Sequence, residues 1–451
     1  ALGSAIRVDS RGREVIRILP RVNEAVNEEW ISDKTRQIVD GLKTQRLDRP
    51  YVRENGRLRP ASWKEAFELI SAKRKASAPG RTGAIVGDLA AAEEIFALKL
   101  LIQQLGSPNF DCRQDGAKLD PKFGRGSYIF NSTIAGVDQA DALLIVGSNP
   151  RKESPVLNAR IRKRWLKGDL KVSLVGEKAD LTYDYDYLGA GPESLLRFIQ
   201  EAKPAGKLLV IVGQGALSRP DGDAILALSA QAAQKLGGAE GWNGFSVLHT
   251  AASRVGALDL GFTPAQGGRD TQAMAKAGAL DLIFNLGADE LAIEPGAFVV
   301  YIGTHGDRGA HRADVILPGA AYTEKSGLYV NTEGRVQLAS RVVFPPGEAR
   351  EDWAILRALS AVVGQTLPFD SLAQLRKKLV EAHPHFARID QIEAGNPGDV
   401  AKLASHAAVA MKDPFGSAIG DFYLTNPIAR ASAVMADCSA LAQGRQAQAA
   451  E

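Results

Sequence analysis

The sequence predicts an α/β fold of multiple doubly wound, mainly parallel sheets, preceded by a small β-rich amino-terminal head. Three observations carry this. Short apolar runs such as Ala-Leu-Leu-Ile-Val at 142–146 alternate with amphipathic stretches, which is the spacing of βαβ units. The 45 glycines suit many tight βα turns. A length of 451 residues exceeds one ordinary core and predicts two or three domains.

In chain order, residues 5–8 and 15–19 read as a strand pair turned at Arg11-Gly12, followed by a capped turn at 26–36 anchored by Trp30 and a basic connector at 43–59. Ser62 and Glu65 form a capping box, each satisfying an orphan amide at the start of a helix that runs to about 75. Residues 83–87 read as a buried strand. Asp88 is expected to cap the next helix, whose Ile95, Leu98, Ile102 and Leu105 share one face before Gly106 ends it. Further buried strands are expected at 142–146, 172–175, 208–212, 282–286, 298–302 and 315–317. Pro318-Gly319 stops the last of these. The loop beyond it carries Glu324, Lys325, Asn331, Thr332, Glu333 and Arg335 at the strand's carboxyl end, where open α/β sheets bind ligands. The tail reads as helical from about 368, with a capping box at Ser371–Gln374 and a looser stretch at 395–398. The expected division is a head and connector at 1–60, an α/β domain at 61–111 plus 261–365, a second at 112–260, and a helical and irregular tail at 366–451.

Composition excludes several classes. A net charge of +3 leaves no whole-chain nucleic-acid footprint. Two cysteines, Cys112 and Cys438, cannot build a disulfide framework or a four-thiolate cluster, and a reducing setting is expected. No run reaches the ~18 apolar residues of a membrane span. A start without Met, inside a strand pair and with no signal-peptide pattern before it, is expected of a fragment or processed product.

Four stretches are candidates for chemistry. Gly147-Ser148-Asn149-Pro150 follows a strand, and a helix starts at Ser154-Pro155; a glycine turn leading to a helix amino terminus suits a phosphate. Leu157, Ile161 and Trp165 mark that helix's buried face, while Arg160, Arg162, Lys163, Arg164 and Lys167 read as a solvated basic face. Gly213-Gln214-Gly215 lacks the third glycine of a dinucleotide fingerprint, with Ser218 in its place, and reads as structural. His305 and His311 flank a glycine-rich loop with Asp307, where backbone hydrogen bonding is expected before metal binding. Cys112 reads as a buried thiol.

The run ADVILPGAAYTEKSGLYVNTEGRVQ at 313–337 resembles a signature of the molybdopterin oxidoreductases, and the 147–155 wording resembles their dinucleotide-holding segment. Runs at 17–36, 131–151, 157–176, 305–335 and 421–432 resemble, in order, one branch of that family: the large iron–sulfur subunit (75 kDa type) of proton-pumping NADH:quinone oxidoreductase, respiratory complex I. The resemblance implies a molybdopterin-oxidoreductase-like fold in a non-catalytic structural and assembly region, without catalytic residues or metal ligands. It implies that 4Fe-4S and 2Fe-2S clusters belong to an amino-terminal part of the parent subunit preceding this chain, and that no molybdopterin is bound. Gly147, Asn149, Pro150, Asn331, Glu333 and Arg335 become vestigial nucleotide and pterin positions. Arg335 is expected to pair with Glu324 or Glu333, in a cleft narrowed or filled by water. Cys112 or Asp115 stands where active relatives place a molybdenum ligand, but Gly176-Glu177-Lys178-Ala179 departs from their aspartate–proline–arginine turn, and the head lacks their CxxC cluster. Implied partners are other peripheral-arm subunits on the flavin-bearing and quinone-facing sides, without nucleic acid or direct membrane insertion. Trp30, Arg21, Arg36 and the 160–167 face are the docking candidates. The implied location is the cytoplasmic face of a bacterial inner membrane or the mitochondrial matrix side. The alternatives are an active molybdopterin oxidoreductase of nitrate reductase or formate dehydrogenase type, and a free-standing nucleotide-binding module using 147–151.

Overall fold

The computed structural model describes residues 1–450, with side chains to Gly444; Glu451, the end of the expected tail, lies outside the described residues. The head is an antiparallel hairpin of β1 (Ile6–Arg11) and β2 (Glu14–Pro20) with Gly12 in the turn at φ +61°. The basic connector folds into strands. It forms β3 (Tyr51–Glu54) and β4 (Arg57–Pro60), which join the edge of a seven-stranded sheet. Next come β5 (Thr82–Val86), β6 (Asn109–Asp111), β7 (Ala142–Val146), β8 (Lys171–Val175), β9 (Asp186–Gly189), β10 (Leu208–Val212) and β11 (Phe245–Val247). The chain continues through β12 (Leu282–Leu286), β13 (Phe298–Gly303), β14 (Val315–Pro318), β15 (Gly327–Val330) and β16 (Val336–Ala339).

The larger sheet has the order β4-β3-β14-β13-β12-β5-β6, parallel except for β3 and β4; the smaller, β11-β10-β7-β8-β9, is wholly parallel. All five residues of β5, β10 and β12 are buried, as expected of strands covered on both faces. Pro318 ends β14 where its pairing with β3 has already stopped at Ile316, so no ladder bond is lost for want of its amide. The chain reverses direction across each sheet at one strand. After β5 it pairs β6 on one side and β12 on the other; after β7 it pairs β8 on one side and β10 on the other.

The helix Trp63–Ala76 starts as expected, with the Ser62 hydroxyl accepting from the Glu65 amide at 3.1 Å. Asp88 does not cap the following helix. That helix is Ala92–Gln104, begins after Ala91, and takes its cap from within, Glu94 accepting from the Ala91 amide at 2.7 Å. A close approach forces the difference: the loops after β5 and β12 touch, and a Cβ on Gly87 would sit 1.8 Å from the Gly287 carbonyl oxygen. The chain therefore needs several residues after Gly87 before it can turn into a helix. One continuous apolar core includes Val86 and Phe284 of the larger sheet with Val146 and Val210 of the smaller. The tail is helical in pieces. Leu372–Ala382 lies on the Ala92–Gln104 helix, Pro397–Ala404 on the helix Gly222–Leu236, and Pro427–Arg430 against the turn at Ile38–Leu42 beside the head.

Candidate functional site

The two reversal points face each other. Between the carboxyl ends of the sheets lies a cleft of about 1060 Å³, lined by Asp88 after β5, Gln114 and Asp115 after β6, Glu153 after β7 and Gln214 after β10. Such positions bind ligands in open α/β sheets because strand-end loops diverge there. Several polar atoms of this lining lack a hydrogen-bond partner among the described residues, including Asp88 Oδ1, Gln114 Oε1, Glu153 Oε2 and Gln214 Oε1. All four are acceptors. Burial pushes the Asp88 carboxyl up to about 6 and the Glu153 carboxyl up to about 7. The cleft is wide rather than narrowed, and its lining suits water, which donates to buried acceptors.

The Gly147 turn is built as a nucleotide turn would be, but a side chain occupies it. Gly147 has φ +53°, and a Cβ there would lie 2.5 Å from that of Ala216. Pro150 opens the short helix Pro150–Glu153, and Asn149 caps it weakly through the Lys152 amide at 3.4 Å. The Asn149 amide itself donates to Glu153 Oε1 at 2.6 Å, so a carboxylate of the same chain takes a donor that an anion would need.

The 324–335 loop lies outside this cleft, and its polar groups are bonded within the chain. Arg335 Nε donates to Glu333 at 2.9 Å, the pairing expected for it, while the other expected candidate, Glu324, is gripped by Arg46 at 2.5 and 2.6 Å. Glu333 also accepts from the Ile134 amide at 2.8 Å, and Asn331 joins the Leu2 carbonyl at 3.0 Å to the Arg335 amide at 2.9 Å. Thr332 reaches the Val247 carbonyl at 3.0 Å. Lys325 Nζ sits 2.7 and 2.9 Å from the Glu94 oxygens and 3.1 Å from Asp352, all three side chains buried. Against the cost of burial, Asp352 and Glu94 hold the Lys325 ammonium well above its ordinary range. Burial, and then the neighbouring Asp352, push the Glu94 carboxyl well up.

The remaining candidates fall into place around these networks. Cys112 is fully buried, and burial pushes its thiol up to about 12, opposite to the thiolate a metal needs. Asp115 is committed to the buried Arg254 at 2.9 Å. His305 lies between Thr304 Oγ1 at 2.7 Å and the Gly41 carbonyl at 2.8 Å; accepting through Nδ1 and donating through Nε2, it is a satisfied neutral imidazole, with burial lowering it to about 4. His311 is exposed. Gln214 holds the Leu248 carbonyl at 2.8 Å, in keeping with a structural role for its turn. The basic face at 160–167 requires correction. Arg160 and Arg164 are buried, Arg160 donating to Asp138 at 2.7 Å and the Glu24 carbonyl at 2.9 Å, and Arg164 to Asp169. Sequence reasoning missed Asp88, Gln114 and Glu153; only the placement of Asp88 and Glu153 just beyond apolar runs could have signalled them.

These residues do not fit the groups associated with this architecture. Among the described residues, no cluster of three or more His, Cys, Asp or Glu is placed to hold a metal ion. Residues 1–40 contain no cysteine for an iron–sulfur cluster, and the polar groups of the 324–335 loop are taken up by one another and by residues of the surrounding chain.

Residues 46–362 match the family model described as molybdopterin oxidoreductase, and the chain belongs to that family. Within it, the similarity runs to the G-type subunit of NADH-quinone oxidoreductase. Residues 1–40 match the NDSU1/NuoG-like 4Fe-4S domain of NADH-ubiquinone oxidoreductase, and residues 391–438 match the model of that G-type subunit's C-terminal region. The chain is 44% identical to the 78 kDa mitochondrial subunit of NADH-ubiquinone oxidoreductase from Neurospora crassa, covering 97% of this chain and 61% of that one. It is 44% identical to the G-type subunit of NADH-quinone oxidoreductase from Rickettsia bellii, covering 97% and 64%, and 45% identical to the 78 kDa subunit of Candida albicans, covering 97% and 62%. The chain thus spans about three fifths of the length of these relatives. Among solved structures, acetylene hydratase from Pelobacter acetylenicus shares the fold at a TM-score of 0.60 and 14% identity, over 86% of this chain and 71% of the other. No helix among the described residues is long and apolar enough to cross a membrane.

Proposed function

We propose that this chain is the non-catalytic structural and assembly region of the iron–sulfur subunit of an NADH:quinone oxidoreductase, whose clusters reside in other parts of the assembled enzyme. The observation that carries the reading is the loop at 324–335, whose charged and amide groups are satisfied by the chain's own residues where a cofactor would need them free. Each such group left unpaired in the interior costs about 1–3 kcal/mol, so emptying a cofactor site and keeping the fold requires this kind of internal closure. A working molybdopterin enzyme would need open donors and a metal ligand at these positions; the buried thiol of Cys112 and the ion-paired Asp115 supply neither. A nucleotide module at 147–151 is disfavoured by the Glu153 carboxylate on the Asn149 amide.

In this reading Gly147, Asn149, Pro150, Asn331, Glu333 and Arg335 are vestigial, and the chain binds neither molybdopterin nor a cluster. The two sheets support the division into 61–111 with 261–365 and 112–260 as structural units, the connector strands belonging with the first. The partners are peripheral-arm subunits on the flavin-bearing and quinone-facing sides, at the cytoplasmic face of a bacterial inner membrane or in the mitochondrial matrix. The head supplies a docking surface: Trp30 is 56% exposed and Val22 72%, with Arg21 exposed beside Val22 in the chain. Metal analysis and an optical spectrum of the purified chain test the reading. The expected result is no stoichiometric molybdenum or iron and no cluster absorbance; either metal at one equivalent would overturn it.

A further inference from the structure

A second cavity, of about 770 Å³, lies between the turn of the head hairpin and the segment 341–354. Its volume is that of a specific binding cleft, for which the range is roughly 300–1,000 Å³. Part of its floor is Thr323, which is 2% exposed and whose hydroxyl has no partner among the described residues. Trp353 and Pro346 contribute apolar wall, and Phe344 stands 68% exposed with the Arg341 guanidinium 4.4 Å from its ring centre. Exposed phenylalanines are depleted on free surfaces and enriched where another protein covers them.

The charges lining the groove are unbalanced. Five cationic side chains face three carboxylates. Three cations are neutralised: Lys43 by Glu14 at 2.8 Å, Arg46 by Glu324, and Arg341 by Glu351 at 3.1 Å. Arg13 and Arg350 are exposed and pair with no carboxylate among the described residues. The groove therefore presents two guanidiniums without a carboxylate partner, an orphan buried hydroxyl and an uncovered aromatic ring.

We propose that this groove docks an extended acidic and apolar segment of another subunit, with a carboxylate on Arg13 and Arg350, an acceptor for the Thr323 hydroxyl and an apolar side chain over Phe344. A lipid headgroup would use the guanidiniums but leave the recessed hydroxyl and apolar wall without a partner. The proposal rests on the reading of this chain as an assembly module, and co-purification of the wild-type subunit with other chains tests that reading separately.

The test uses the full-length subunit in its membrane-bound assembly, with the photoreactive residue p-benzoylphenylalanine replacing Phe344. Illumination should give a covalent adduct whose peptide maps to an Asp- or Glu-bearing segment of a different subunit. The pair Arg13→Glu and Arg350→Glu should lower that adduct about tenfold, the scale of losing two charge contacts at an interface, with the subunit's melting temperature unchanged. If the reversal lowers the amount of subunit, the milder pair Arg13→Ala and Arg350→Ala carries the comparison, with a smaller loss of adduct expected. Adducts confined to the subunit itself, to a second copy or to lipid would overturn the proposal, as would an adduct indifferent to both pairs of substitutions.

Discussion

Lys325 shows at single-residue scale how the 324–335 loop is held in place. Its ammonium lies between Glu94 and Asp352 with all three side chains buried, so it compensates two carboxylates that water does not reach. Lys325→Met removes the compensation and should cost about 3–5 kcal/mol in denaturant unfolding. The cost should shrink as pH falls. Burial raises the Glu94 carboxyl above its ordinary range, so acid supplies the proton that replaces the lost ammonium, whereas raising pH leaves that carboxyl charged with its cation gone. Glu153 provides the second prediction. Burial raises its carboxyl to about 7, so the native state binds its proton more tightly than the unfolded chain does. That contribution is complete below the ordinary carboxylate range and is lost as pH rises toward 7. Glu153→Gln keeps an oxygen for the Asn149 amide and carries no charge; melts should show the variant more stable by about 2–3 kcal/mol at pH 8 and equal to wild type near pH 4.

At the scale of elements, the helix Pro155–Trp165 shows why a basic stripe is a poor guide to a docking face. In sequence its cations read as solvated, but the chain at Asp138, Asp169 and Thr182 wraps the helix and takes up Arg160, Arg164 and Arg162 in turn. Arg160 also holds the Glu24 carbonyl, tying the segment after the hairpin to the smaller sheet's helical layer. Arg160→Ala should therefore destabilise the purified chain by about 2–3 kcal/mol, less than a fully buried pair because Asp138 keeps partial access to water. Lys167 is exposed and has no such role; Lys167→Glu should leave the melting temperature within about 1 °C, as surface substitutions do.

At the scale of the whole molecule, the two sheets share one apolar core, and the tail crosses both. Leu372–Ala382 lies against the layer of the larger sheet and Pro397–Ala404 against that of the smaller, so neither sheet's helices can be exposed without disturbing the other's. The chain should unfold in calorimetry as one endotherm with matching calorimetric and van't Hoff enthalpies. Two resolved transitions would show that the shared core does not couple the two sheets.

The sequence by itself determined the layer architecture, because short, mainly apolar runs such as 83–87, 208–212 and 282–286, set between amphipathic stretches, are used as central strands covered on both faces. It also narrowed the partner of Arg335 to Glu324 or Glu333, and the one that forms, with Glu333, is only two residues away. What it could not determine is where separated stretches meet. The β3–β4 addition to the larger sheet depends on two pairings with β14 some 260 residues on, and the wrapping of Arg160 depends on residues 22 and 136 positions away. The cleft depends on two reversal points brought face to face, so its lining of Asp88, Gln114, Glu153 and Gln214 is assembled from four strand ends with no local signature. Periodicity and caps are local free energies and are legible in a window of a few residues. The satisfaction of a buried charge is a property of whichever distant groups the fold brings within hydrogen-bonding distance, and only the tertiary structure decided it.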